Sequence, residues 1–179
     1  MQLLISPGFY SPELTAAFLQ SLCSVVTPER LWVLPACLFA EGFSKASSNY
    51  QQILQYDQPL HIIAFSAGVV AAYPIALTWQ AMGGISHMIA MDGWGMPLLG
   101  NFRVHRLSHD RWTHDTTYFP SASESAGAFY ADPAVDHLTL WQSPNAAQGR
   151  GEIGGIWQSM TALEFIVAAL QDEAFTSAT

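Results

Sequence analysis

Hydrophobic positions in this chain alternate between short continuous runs, the pattern of strands buried on both faces, and longer stretches with apolar residues at helical spacing. Residues 2–6 read as a strand ending in Pro7-Gly8-Phe9-Tyr10-Ser11-Pro12. Over 13–26, Leu14, Ala17, Phe18 and Leu22 share a helical face, with Ser11 or Pro12 as start signal. Residues 30–34 form a second strand closed by Pro35, 44–56 a polar amphipathic helix, and 60–65 a third strand. An Ala-rich buried helix starts at Ala67 and ends at Gly83-Gly84; further strands are expected at 86–91, 102–107 and 137–141. Residues 121–130 read as a short helix and 142–155 as a polar loop. The closing helix, 156–174, puts Ile156, Met160, Leu163, Val167 and Leu170 on one face. This alternation predicts an α/β fold, a three-layer sandwich around a six-stranded, mostly parallel sheet, in a single domain over residues 1–179.

The third strand and the helix after it meet around one serine, in Ala64-x-Ser66-x-Gly68. A strand that turns sharply into a helix forces the residue at the turn into a strained conformation. Residues two positions away must be small, or their side chains would strike the strand and helix. The turn lifts the hydroxyl clear of the sheet and aims a helix N-terminus at the space above it, where developing negative charge is stabilised. The stretch resembles the nucleophile elbow of the α/β-hydrolases, whose usual form is Gly-x-Ser-x-Gly, with Ala64 in place of the first glycine. As topology the resemblance covers nearly the whole chain: six strands, with the serine after the third, match the family core without its first two antiparallel strands. The link between the fourth and fifth strands is about ten residues, near the minimum for a parallel crossover, so no lid domain is expected.

The resemblance implies a site at the carboxyl ends of the strands. By position, the backbone N–H groups of Phe9 and Ala67 become the oxyanion-hole donors, although Pro7 stands where the family often has histidine. A serine hydroxyl needs a base. The family normally keeps it in the loop after its last strand, and 142–155 contains no histidine. His61 lies inside an expected strand, while His87 and His137 stand at the start of theirs, at the end remote from the serine. The segment after the fifth strand offers His109 and His114, each followed by an aspartate. His109 is the first choice of base and His114 the second. Asp92, ending the fourth strand, is preferred as orienting acid over Asp110 or Asp115, because adjacent side chains on extended chain point apart.

Composition narrows the classes. Half the residues are hydrophobic and only 11% charged, so much of the chain must be buried; yet no apolar run reaches membrane-spanning length. A net charge of −8 with six Lys+Arg leaves no basic surface for nucleic acid. The start of the chain lacks the basic region of a signal peptide, and a cytoplasmic protein is expected. Cys23 and Cys37 have no metal-ligand spacing and read as buried thiols. His105, His109, Asp110 and His114 offer a rival use as metal ligands, but they sit on strand and loop, where i,i+4 spacing does not gather them. No cofactor or metal is expected. The reading is a serine hydrolase that cleaves an ester or thioester of a small apolar acyl group, with Trp94, Trp112, Tyr118, Phe119 and Trp141 as candidate pocket walls. An acyltransferase would use the same residues. The alternative is a non-catalytic relative, binding a ligand or partner after losing the usual histidine.

Overall fold

A computed structural model describes residues 1–35, 59–117 and 125–172. The expected helix at 44–56 lies outside them, as do Cys37, Tyr118 and Phe119. The described elements run β1 (Gln2–Ser6), α1 (Pro12–Cys23), β2 (Arg30–Val33), β3 (Leu60–Phe65), α2 (Ala67–Ala81), β4 (Ser86–Met91), β5 (Arg103–Ser108), α3 (Arg111–Thr117), β6 (Ser125–Ala131), α4 (His137–Gln142), β7 (Gln148–Ile153), β8 (Ile156–Thr161) and α5 (Ala162–Leu170). The fold is α/β, as expected, but the sheet is larger and more mixed than six mostly parallel strands. Eight strands lie in the order β2-β1-β3-β4-β5-β6-β7-β8. The first six pair in parallel, and β7 and β8 add an antiparallel hairpin.

Every side chain of β1, β3 and β4 is buried, because helices cover both faces of the sheet's centre. Alternate residues divide between two cores. Leu3, Ile5, Ile63 and Phe65 pack with Phe18 and Leu22 of α1, Trp141 of α4 and Phe165 and Ile166 of α5. Leu4, Ile62 and Ala64 pack with Val69, Ile75 and Trp79 of α2 on the other face. Among the described residues no helix is long and apolar enough to cross a membrane. Cys23 is exposed, not buried.

The differences from the sequence reading cluster after residue 120. Of the expected helix at 121–130, residues 121–124 lie outside the described residues and the rest belong to β6, where a Cβ on Gly127 would lie 2.3 Å from the Glu152 carbonyl oxygen on β7. The expected strand at 137–141 is helix α4. The expected polar loop contains β7, and the closing helix divides into β8 and α5. Gly154 and Gly155, both at positive φ, make the two-residue turn that pairs Ile153 with Ile156. Thr161 and Glu164 then form a reciprocal capping box that starts α5.

Three histidines sit side by side at the amino-terminal ends of β3, β4 and β5. His87 Nε2 is 2.6 Å from His105 Nδ1, and His87 Nδ1 is 3.4 Å from His61 Nδ1. All three are buried. Burial and then the Arg103 charge push His105 down to about 4, burial pushes His61 to about 4, and burial puts His87 well below its ordinary range. A histidine buried neutral and released on unfolding binds a proton only in the unfolded state between its folded pKa and about 6.5, so stability is full above pH 6.5 and falls as pH drops toward 4. One unit of depression is worth about 1.4 kcal/mol, or roughly 3 °C for a chain of this size, so a melting temperature lower by on the order of 10 °C at pH 4.5 than at pH 7 is expected. Calorimetry across that range checks this, and His87→Gln should give a visibly shallower pH slope.

Candidate active site

Strand order reverses between β1 and β3. The chain leaves β1 for α1 on one face and β3 for α2 on the other, so a crevice opens at the carboxyl ends of these neighbouring strands. Ser66 stands at its floor, between β3 and α2, with φ +53° and ψ −126°. That is a strained conformation for a residue with a side chain, and its cost is about 1–3 kcal/mol. The surroundings hold it there. Ser66 N–H donates to the Met91 carbonyl at 2.8 Å, and the Ser6 hydroxyl donates to the Gly68 carbonyl at 2.8 Å. A Cβ at Gly68 would lie 2.0 Å from the Ser6 carbonyl oxygen, so only glycine lets α2 approach the end of β1 this closely.

Asp92, 1% exposed, ends β4 with φ +48°. Its Oδ1 accepts the His109 backbone N–H at 3.0 Å, and its Oδ2 lies 2.9 Å from His109 Nδ1 and 2.6 Å from His137 Nδ1. The two rings arrive from different elements. His109 follows β5, while His137 opens α4; the Val135 N–H to His109 carbonyl bond, at 3.0 Å, ties the two segments together. Beyond Asp92, the His109 ring turns Nε2 toward Asp110, 3.6 Å away. The His137 ring turns Nε2 toward the Tyr10 hydroxyl, 2.9 Å away, and that hydroxyl lies 3.3 Å from Ser66 Oγ. Ser66, Tyr10, His137 and Asp92 thus form one continuous hydrogen-bonded chain.

The remaining expected site residues divide. Ala67 is the first residue of α2, so its N–H has no acceptor within the helix, and Phe9 lies in the loop between β1 and α1 with its side chain 56% exposed. His114 lies apart from Asp92, its ring against Tyr130 and Trp157. Asp110 accepts the Thr113 N–H at the start of α3. Of the aromatic residues, Trp94 stacks on His137 with centroids 5.2 Å apart and is 65% exposed, Trp112 is exposed, and Trp141 is core, stacked on Phe18 and Phe65. Sequence reasoning passed over His137 and Tyr10. His137 was assigned to the start of a strand; it follows β6 instead, which returns it to the carboxyl end of the sheet.

Asp92, His109 and His137 each offer a ligand atom within 4.8 Å of the others and could hold a metal ion. Four-coordinate ligands at about 2.0 Å from zinc would stand about 3.3 Å from one another. Here both Nδ1 atoms lie closer than that to the same oxygen, at 2.6 and 2.9 Å, which are hydrogen-bond lengths. His105, the fourth residue of the expected rival set, belongs to the buried ladder.

No protein-family model matches the chain, and no match was found among curated proteins or solved structures. Geometry and chemistry therefore carry the functional argument. At Gly68, replacement by alanine should cost about 1–3 kcal/mol, since the new methyl group forces α2 away from β1. Chemical denaturation of Gly68→Ala checks this; a midpoint equal to wild type would mean that the close approach to Ser6 is dispensable.

Proposed function

We propose that this chain is a cytoplasmic serine hydrolase of the α/β-hydrolase type, forming an acyl-enzyme at Ser66 from an ester or thioester of a small apolar acyl group. The observation that carries this reading is the strained Ser66 at a strand–helix turn, linked through Tyr10 and His137 to a buried carboxyl group. His137, and not His109, takes the role of base. With Nδ1 donating to Asp92, a neutral imidazole keeps Nε2 as an acceptor facing the Tyr10 hydroxyl, which in turn lies beside Ser66 Oγ. His109 uses Nδ1 on the same carboxyl group and turns Nε2 away, so it positions Asp92. His137 follows β6, the last of the parallel strands, and not the last strand of the chain, where the resemblance implies the base.

The backbone N–H groups of Phe9 and Ala67 are the donors for the tetrahedral oxyanion, and the α2 N-terminus adds its dipole. Phe9 and Trp94 present apolar surface at the mouth of the site, which favours an uncharged acyl chain over a charged one. One observation favours the second reading, a non-catalytic binding protein: among the described residues the partner of Ser66 Oγ is Tyr10, with no histidine bonded to it directly.

A fluorophosphonate probe separates the two readings, because it phosphonylates only a serine whose base works. Wild type should be labelled, and Ser66→Ala and His137→Ala should lose at least about a hundredfold in labelling rate. His109→Ala should lose about tenfold or less, a positioning effect. Folded wild type that resists the probe would establish the binding-protein reading instead.

A further inference from the structure

Tyr10 stands at the one point where the proposed chemistry needs a proton to pass. Its oxygen lies between Ser66 Oγ, at 3.3 Å, and His137 Nε2, at 2.9 Å. Donors and acceptors along the chain fall into one direction. His137 donates from Nδ1 to Asp92, which leaves its Nε2 an acceptor in the neutral ring. The neighbour able to fill that acceptor is the Tyr10 O–H, and the Tyr10 oxygen then keeps its lone pairs for the Ser66 O–H.

The loop is shaped to hold the phenol there. The Tyr10 ring packs on Phe65, with centroids 5.4 Å apart, and meets the His137 ring edge to face. Tyr10 N–H donates to the Gly8 carbonyl at 2.9 Å, folding the ring back over residue 8. A Cβ at Gly8 would lie 2.7 Å from the Tyr10 ring, so the absence of a side chain at position 8 makes room for it.

We infer that Tyr10 is a catalytic residue, a phenol that relays the proton between Ser66 and His137; this rests on the reading of Ser66 as nucleophile. As Ser66 Oγ bonds to the acyl carbon and the carbonyl π pair moves onto oxygen, the Ser66 proton passes to the Tyr10 oxygen. The Tyr10 proton passes in the same step to His137 Nε2, giving an imidazolium held by Asp92. When the tetrahedral adduct collapses, His137 returns that proton to Tyr10, and Tyr10 gives its own to the leaving oxygen or sulfur. Water deacylates the enzyme by the same route, and both residues end as they began.

The test uses hydrolysis of p-nitrophenyl butyrate together with fluorophosphonate labelling, in wild type, Tyr10→Phe, His137→Ala and the double variant. Tyr10→Phe deletes one oxygen and should melt within a few degrees of wild type. A relay predicts a loss in kcat of about 10²–10³ with KM within about twofold, a matching drop in labelling rate, and a double variant hardly slower than His137→Ala alone. Tyr10→Phe at the wild-type rate or faster overturns the relay alone, since Ser66 would then reach His137 directly. Wild type that neither hydrolyses the ester nor labels at Ser66 overturns the hydrolase reading, and the relay with it.

Discussion

A carboxyl group buried at the end of a central strand is the constraint around which the site is built. Asp92 is 1% exposed, and removing its oxygens from water without replacement partners would cost several kcal/mol. Three N–H groups supply the replacement: the backbone and ring of His109 and the ring of His137. Meeting that demand fixes the end of β5 and the start of α4 relative to β4. The two imidazoles are therefore oriented by the same requirement that makes burial of Asp92 tolerable. Only His137 is left with its second ring nitrogen facing the Tyr10 hydroxyl; that of His109 faces Asp110.

Strain in the backbone follows the same geometry. Ser66, Asp92 and Trp94 are the described non-glycine residues with positive φ, and all three lie at the carboxyl ends of β3 and β4. Such conformations persist where surrounding contacts over-determine them. At Ser66 those contacts are the Met91 carbonyl and the closely packed Ser6–Gly68 pair. At Asp92 the backbone N–H is held by the Leu107 carbonyl, which extends the sheet pairing one residue past the strand. Trp94 has its indole against His137, so its unfavourable backbone is coupled to the position of the ring that faces Tyr10.

The described part of the first half was legible because β1 and β3 are continuous apolar runs, α1 has apolar residues at helical spacing and α2 is rich in alanine. Ser66, Asp92 and the loop after β1 stand out in the sequence for that reason: each is a position just past the end of such a run. The second half hides its elements. In β6, Gly127 has no room for a side chain because the Glu152 carbonyl of β7 passes close, and with the alanines beside it the strand has a helix-like composition. In α4, Leu138 and Leu140 alternate with Thr139 and Trp141, and six residues are too few for period 2 to be told from period 3.6. Two signals stood in the sequence unread: the Gly154-Gly155 pair between apolar residues, and Thr161-x-x-Glu164 before an apolar run. With the hairpin recognised, the closing helix shortens, β6 becomes the last parallel strand, and His137 moves to the carboxyl end of the sheet. Tyr10 had no such signal, because its role depends on where the ring of a residue 127 positions away comes to rest.

The histidines show why residue type alone does not assign a histidine to a site. His61, His87 and His105 occupy the amino-terminal ends of the strands whose carboxyl ends lead to Ser66, Asp92 and His109. His105 and His109 are four residues apart, about 13 Å along an extended strand, yet they are under opposite rules. In the ladder each buried ring is hydrogen-bonded to another, an arrangement that suits neutral imidazoles and is weakened by any added charge. At the site, His109 and His137 keep 22% and 21% of their side chains exposed and share a carboxyl group able to stabilise an imidazolium. The ladder rings bond to one another, whereas both rings at the site bond to the Asp92 carboxyl group. That difference in environment separates the ladder histidines from those at the site, and it arises only once the sheet has placed both ends.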